Sequence, residues 1–78
     1  MNLPKVELRK FDGTKVFTWV NQIEQYFELH NIIYDKQRIH ITTLNFEIKP
    51  YQWYQWVVKR KLHSYHYTWS LFTRYLEA

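Results

Sequence analysis

Between Thr14 and His30 the apolar residues Val16, Trp19, Val20, Ile23, Tyr26 and Phe27 recur at helical spacing. At 100° per residue they gather on one stripe about 120° wide. Such a helix is stable only when its stripe is covered, so the rest of the chain has to supply the cover. Phe17 and Leu29 lie off the stripe with Glu24, Gln25 and Glu28, which makes the far face polar with one aromatic exception. Thr14 is placed to cap the start, and His30-Asn31 ends the element.

Cover is scarce in 78 residues. A chain this short makes one domain, and the entropy lost on ordering it nearly cancels the gain from burial unless it is stapled, densely packed or partnered. No cysteine is present, which removes disulfides, iron–sulfur clusters, thiol catalysis and thiolate zinc sites, and favours an intracellular setting. Aromatic residues form 21% of the chain, far above a disordered tail. The formal charge of +4 concerns solubility and general attraction to polyanions rather than a particular partner. No apolar run approaches the ~20 residues that cross a bilayer, and the start MNLPKVELRK lacks the apolar core of a signal peptide. The expectation is a soluble, cytoplasmic protein with no membrane partner.

The other segments read less evenly. Residues 1–13 form an extended arm carrying Leu3, Pro4, Val6, Leu8 and Phe11, closed by the turn signal Asp12-Gly13. Asp35 offers an acidic N-cap for a second helix, but Arg38 to Thr42 and Leu44 to Ile48 alternate apolar and polar residues with many β-branched ones. Propensity draws two short strands there; a helix would need burial on two sides, Ile39 and Phe46 on one, Ile41 and Leu44 on the other. Periodicity leaves both readings open. Pro50 suits the first turn of a further helix. On its wheel Pro50, Tyr51, Trp53, Tyr54, Val57, Val58, Lys61 and Leu62 share one arc, while Trp56 stands opposite with Gln52, Lys59 and Arg60. Thr68 can cap a last helix with Trp69, Phe72, Tyr75 and Leu76 inward, and the chain stops so soon afterwards that it reads as truncated.

Chemistry is sparse in this pattern. His63 and His66 are three apart, yet zinc needs three or four converging ligands and no acidic partner stands at a matching position, so His30, His40, His63 and His66 read as surface or interface residues. Glu24 and Glu28 read as a solvated face rather than an acid–base pair. Without a glycine-rich loop or a nucleophile beside a base, the sequence predicts no enzyme, no cofactor and no metal. The run of rings before Lys59-Arg60-Lys61 suggests base stacking beside phosphate contacts, but the wheel leaves only Trp56 with Lys59 and Arg60 outside, a footprint for weak, non-specific nucleic-acid binding at most. Trp56 and Arg60, one turn apart, suit a protein contact instead, and Phe17 is a second candidate anchor.

Taken in order, Phe11-Asp12-Gly13, Trp19, Tyr26-Phe27, Asp35-Lys36, Trp53, Thr68-Trp69 and Phe72 resemble the capsid part of Gag from gypsy-like LTR retrotransposons, especially plant ones. The resemblance spans nearly the whole chain. It implies an all-α fold, a small four-helix bundle with an extended N-terminal arm, and makes the ambiguous segment a helix. The expected division is an arm over 1–13 and a helical domain over 14–78, with helices near 15–30, 35–46, 50–63 and 68–77. The family usually has Asp-Pro where this chain has Lys15-Val16, which passes capping to Thr14 or Asp12; it also has a glycine before the third helix that this chain lacks. The expected core is Trp19, Val20, Ile23, Phe27, Ile39, Trp53, Val57, Trp69 and Phe72. The implied work is self-association in a retrotransposon particle, with the remainder of Gag as a further partner. An alternative is a domesticated capsid-derived adaptor that takes a proline- and aromatic-containing peptide into a helix groove, which the arm itself could occupy.

Overall fold

The computed structural model of the chain describes residues 8–58 and 68–77. These form four helices, α1 Val16–Leu29, α2 Asp35–Leu44, α3 Ile48–Trp53 and α4 Trp69–Glu77, and α3 runs on into a π-helical turn over Tyr54–Val58. The architecture is all-α, a small helical bundle in which α4 packs on both α1 and α2. Among the described residues no helix is long and apolar enough to cross a membrane.

Helix α1 buries Trp19, Val20, Ile23 and Phe27, the centre of its apolar stripe. Its start differs from the expected cap. The first helical residue is Val16 and the N-cap position is Lys15, in the left-handed region at φ 48° and without a side-chain cap. Thr14 and Asp12 instead bond each other: the Asp12 carboxylate accepts from the Thr14 N–H at 2.8 Å and from its hydroxyl at 2.6 Å. That bonding holds the turn in which Gly13 takes φ +96°, a conformation L side chains rarely adopt. The far end is a Schellman closure. Asn31 sits at φ 55°, its N–H donates to Glu28 O, and the Ile32 N–H donates to Phe27 O at 2.8 Å. Ile32 packs against the core, as the residue after such a left-handed position usually does.

The segment that propensity left open is helical from Asp35 to Leu44, with Tyr34 rather than Asp35 at the N-cap and no side-chain cap. Asp35 sits instead in the first turn, where a carboxylate suits the helix dipole. What α2 buries is Thr42 and Thr43. Their hydroxyls donate back to Arg38 O at 2.7 Å and His40 O at 3.0 Å, so two polar side chains enter the core already satisfied by their own helix. Elsewhere on α2 burial is partial: Ile39 and Ile41 are half-buried against the core, while Leu44 stays exposed. Arg38 closes the edge of the core, its Nε donating to Ile32 O and its guanidinium lying 5.3 Å from the Phe27 ring centroid.

Between α2 and α3 the arm takes part in the fold. The Phe11 N–H donates to Asn45 O at 2.8 Å and the Glu47 N–H donates to Phe11 O at 2.9 Å, a single parallel bridge that pairs backbone groups at the joint of two helices. The Trp19 indole N–H donates to Arg9 O at 2.6 Å and fixes the arm from the other side. Phe11 is only 3% exposed, a core residue rather than an arm contact, and Leu8 packs beside it half-buried. Aromatic rings then run in contact across the bundle, Trp19 to Phe11 at 4.9 Å, Phe11 to Phe46 at 5.4 Å, Phe46 to Phe72 at 6.4 Å and Phe72 to Trp69 at 5.9 Å. Phe27 closes the series edge-on to Trp69 at 5.1 Å. Such pairs add to area burial, which is how a chain without a staple concentrates its core.

Helix α4 opens as its sequence predicts, with the Thr68 hydroxyl accepting from the Leu71 N–H at 3.1 Å, and it buries Trp69, Phe72 and Leu76. Helix α3 begins two residues ahead of Pro50, which is buried in its first turn where a missing N–H costs nothing. Of the nine expected core residues, Trp19, Val20, Ile23, Phe27, Trp69 and Phe72 are buried. Ile39 and Trp53 are half-buried, Ile39 because Thr42 and Thr43 occupy the inward face of α2, and Trp53 because it borders an open cleft. The side chain of Val57, together with Leu3, Pro4 and Val6 of the arm, lies outside the described residues.

Candidate functional site

Because α3 starts at Ile48 and the arm is pinned at Phe11, the turn at Gly13 and the first turn of α3 lie beside each other. A Cβ built on Gly13 would stand 3.9 Å from Pro50 Cγ. A cleft of about 350 Å³ opens there, lined mainly by Val16, Pro50, Trp53 and Leu76, with Asp12 and Lys49 at its edge. A second hollow, of about 450 Å³, shares Asp12, Lys49 and Pro50 with the first and is lined further by Phe46 and Ile48. Both are open to solvent, so neither is a pocket that would enclose a small molecule.

The titratable groups near these hollows carry little chemistry. Asp12 is held below the ordinary carboxylate value, first by the hydrogen bond from the Thr14 hydroxyl and then by that from the Thr14 N–H. Tyr54 is pushed above the ordinary phenol value by burial and then by the nearby Tyr51. Among the described residues no three histidines or carboxylates converge as metal ligands, and no buried side-chain donor or acceptor lacks a partner. Glu24 is not simply solvated, since it accepts from the Trp69 indole N–H at 3.1 Å and ties α1 to α4. His30 lies against the Tyr26 ring at 4.4 Å and His40 is exposed, while His63 and His66 lie outside the described residues.

The surface holds more of interest. Phe17 is 66% exposed on α1 and Trp56 is 63% exposed on the π-helical turn, so both sequence-predicted anchors stand at the surface. Lys59 and Arg60, expected beside Trp56, lie outside the described residues. Pattern reading missed Ile33, Tyr34, Ile48 and Tyr51, all of them exposed. Tyr51 in particular had a place on the inward arc of the wheel. Leu44 carried a legible signal, because a helical reading of its segment demanded a second covered side; there Ile41 is half-buried against the core while Leu44 is exposed. Comparisons with protein-family models, curated proteins and solved structures find no match.

Proposed function

We propose that the chain is a Gag-like capsid domain that works by protein–protein self-association. The supporting observation is the surface of the bundle, where Phe17, Ile33, Tyr34, Leu44, Ile48, Tyr51 and Trp56 are all exposed. Single exposed apolar residues are ordinary, but this many on so small a bundle suit contact with other protein. The family resemblance of the sequence points the same way, toward a shell built from repeated copies. The test is the solution mass across a concentration series for wild type and Trp56→Ala side by side. Wild type should gain mass with concentration, and Trp56→Ala should gain less while keeping its far-UV circular dichroism. A wild type that stays monomeric at every concentration refutes the reading.

A second reading, a capsid-derived adaptor, is favoured by the apolar cleft at Val16, Pro50, Trp53 and Leu76. Phe11 is committed to the core and lies at the edge of this cleft rather than leaving its chain for another. An extended peptide with proline and aromatic residues suits the Trp53 wall. Titration with such peptides should saturate if the adaptor reading holds, and a shell protein shows no saturable binding.

A further inference from the structure

The apolar residues at the corner between α2 and α3 form a set of their own. Ile48 is 76% exposed, the highest value for a large apolar side chain among the described residues, and Leu44 and Tyr51 are exposed four residues before it and three after it. Ile48 and Tyr51 share a face of α3 by their spacing. Ile48 also lines the hollow of about 450 Å³, whose buried apolar residues are Phe46 and Pro50. Its rim is exposed and carries Lys10, Asp12, Glu47 and Lys49, two cations and two carboxylates.

That balance of charge selects among occupants. The chain as a whole is at +4, but this rim is neutral, so it offers no net attraction to a polyanion and no excess of cations to an acidic peptide. For two copies of a basic chain it is a place to meet without like-charge repulsion. A two-fold contact also requires a self-complementary patch, in which one residue meets a second and the second copy returns the contact. Glu47-Ile48-Lys49 meets that requirement: an apolar knob between opposite charges, on a hollow with buried apolar residues. We propose that this corner is the contact between two copies of the chain, Ile48 of each seated over the other's Phe46 and Pro50, and Glu47 of each beside the other's Lys49. The proposal rests on the self-association reading and assigns it a surface.

The test uses the full chain in sedimentation equilibrium. Ile48→Glu should leave the far-UV spectrum unchanged, since the side chain is exposed, and raise the dimer Kd by about tenfold or more through lost apolar burial in both copies. Glu47→Lys and Lys49→Glu should each weaken self-pairing by setting like charges opposite each other. An equimolar mixture of these two variants should then pair more tightly than either alone, a rescue that general damage to the fold does not produce. A wild type that associates while Ile48→Glu stays within about twofold of its Kd, or a mixture no tighter than its components, overturns this surface and leaves self-association standing on another one. A wild type that never associates removes both.

Discussion

Phe11→Ala is the most exposing perturbation of this fold, because it asks whether the arm is part of the core or merely lies on it. The ring is 3% exposed, with Trp19 and Phe46 at 4.9 and 5.4 Å. Truncating a buried phenylalanine typically costs about 3–5 kcal/mol, from lost transfer energy and the cavity left behind. Domains are usually stable by roughly 0.05–0.15 kcal/mol per residue, or about 4–12 kcal/mol for a chain of 78. The substitution should therefore remove between about a quarter and all of the stability. Without the ring, the arm is held by the two backbone hydrogen bonds of Phe11 and the indole bond to Arg9 O, each worth about 0.5–1.5 kcal/mol net. If these give way together, the native state loses surface burial and the urea m-value falls along with the midpoint. Urea denaturation followed by circular dichroism at 222 nm reads both quantities. A Phe11→Ala protein within about 0.5 kcal/mol of wild type, the range of ordinary surface changes, would refute the placement of the arm in the core.

Two further outcomes are expected from the same packing and from the turn before α1. Trp69→Ala should cost about 3–5 kcal/mol, and Trp53→Ala clearly less, since Trp69 is 6% exposed and bonded to Glu24 whereas Trp53 is half-buried at an open cleft; equal losses in urea denaturation would contradict that ranking. Asp12 is held below its ordinary value of 3.8 by Thr14, so its stabilising bonds are fully present above that value and are lost as pH falls through the lower folded value. The difference in thermal midpoint between wild type and Asp12→Ala should accordingly shrink on acidification from about pH 6 to about pH 3, and a constant difference would show that the carboxylate does not support the turn.

How far each element could be read depended on what its residues advertise. Helix α1 was legible because its stripe is made of large apolar side chains, and its end because Asn31 tolerates the left-handed position that closes a helix. Helix α2 was not, because its inward residues are Thr42 and Thr43, whose hydroxyls bond back to the helix. Seen as letters, they are polar and β-branched, and they imitate a strand. The wheel of α3 holds for Pro50, which is buried, and for Trp53, which is half-buried, but not for Tyr51, which it places inward and which is exposed. From Tyr54 the backbone closes the wider turn of a π-helix, so 100° per residue no longer gives the phase of Tyr54 to Val58. The candidate surface was half legible: Phe17 and Trp56 were seen off their stripes, whereas Ile48 was overlooked because Pro50 marked the start of α3 two residues late.

The sequence by itself determined that this chain builds helices around an aromatic core, since the apolar spacing of α1 and α4 and the Thr68 cap are local properties that no partner has to supply. Tertiary structure alone decided where Phe11 belongs and which side of α2 is covered. Phe11 lies in an extended stretch without a period, and its burial depends on Asn45 and Glu47 presenting a carbonyl and an N–H more than thirty residues along the chain. The exposure of Leu44 and Ile48 is decided in the same way, by which faces α4 and the arm cover and which they leave to solvent.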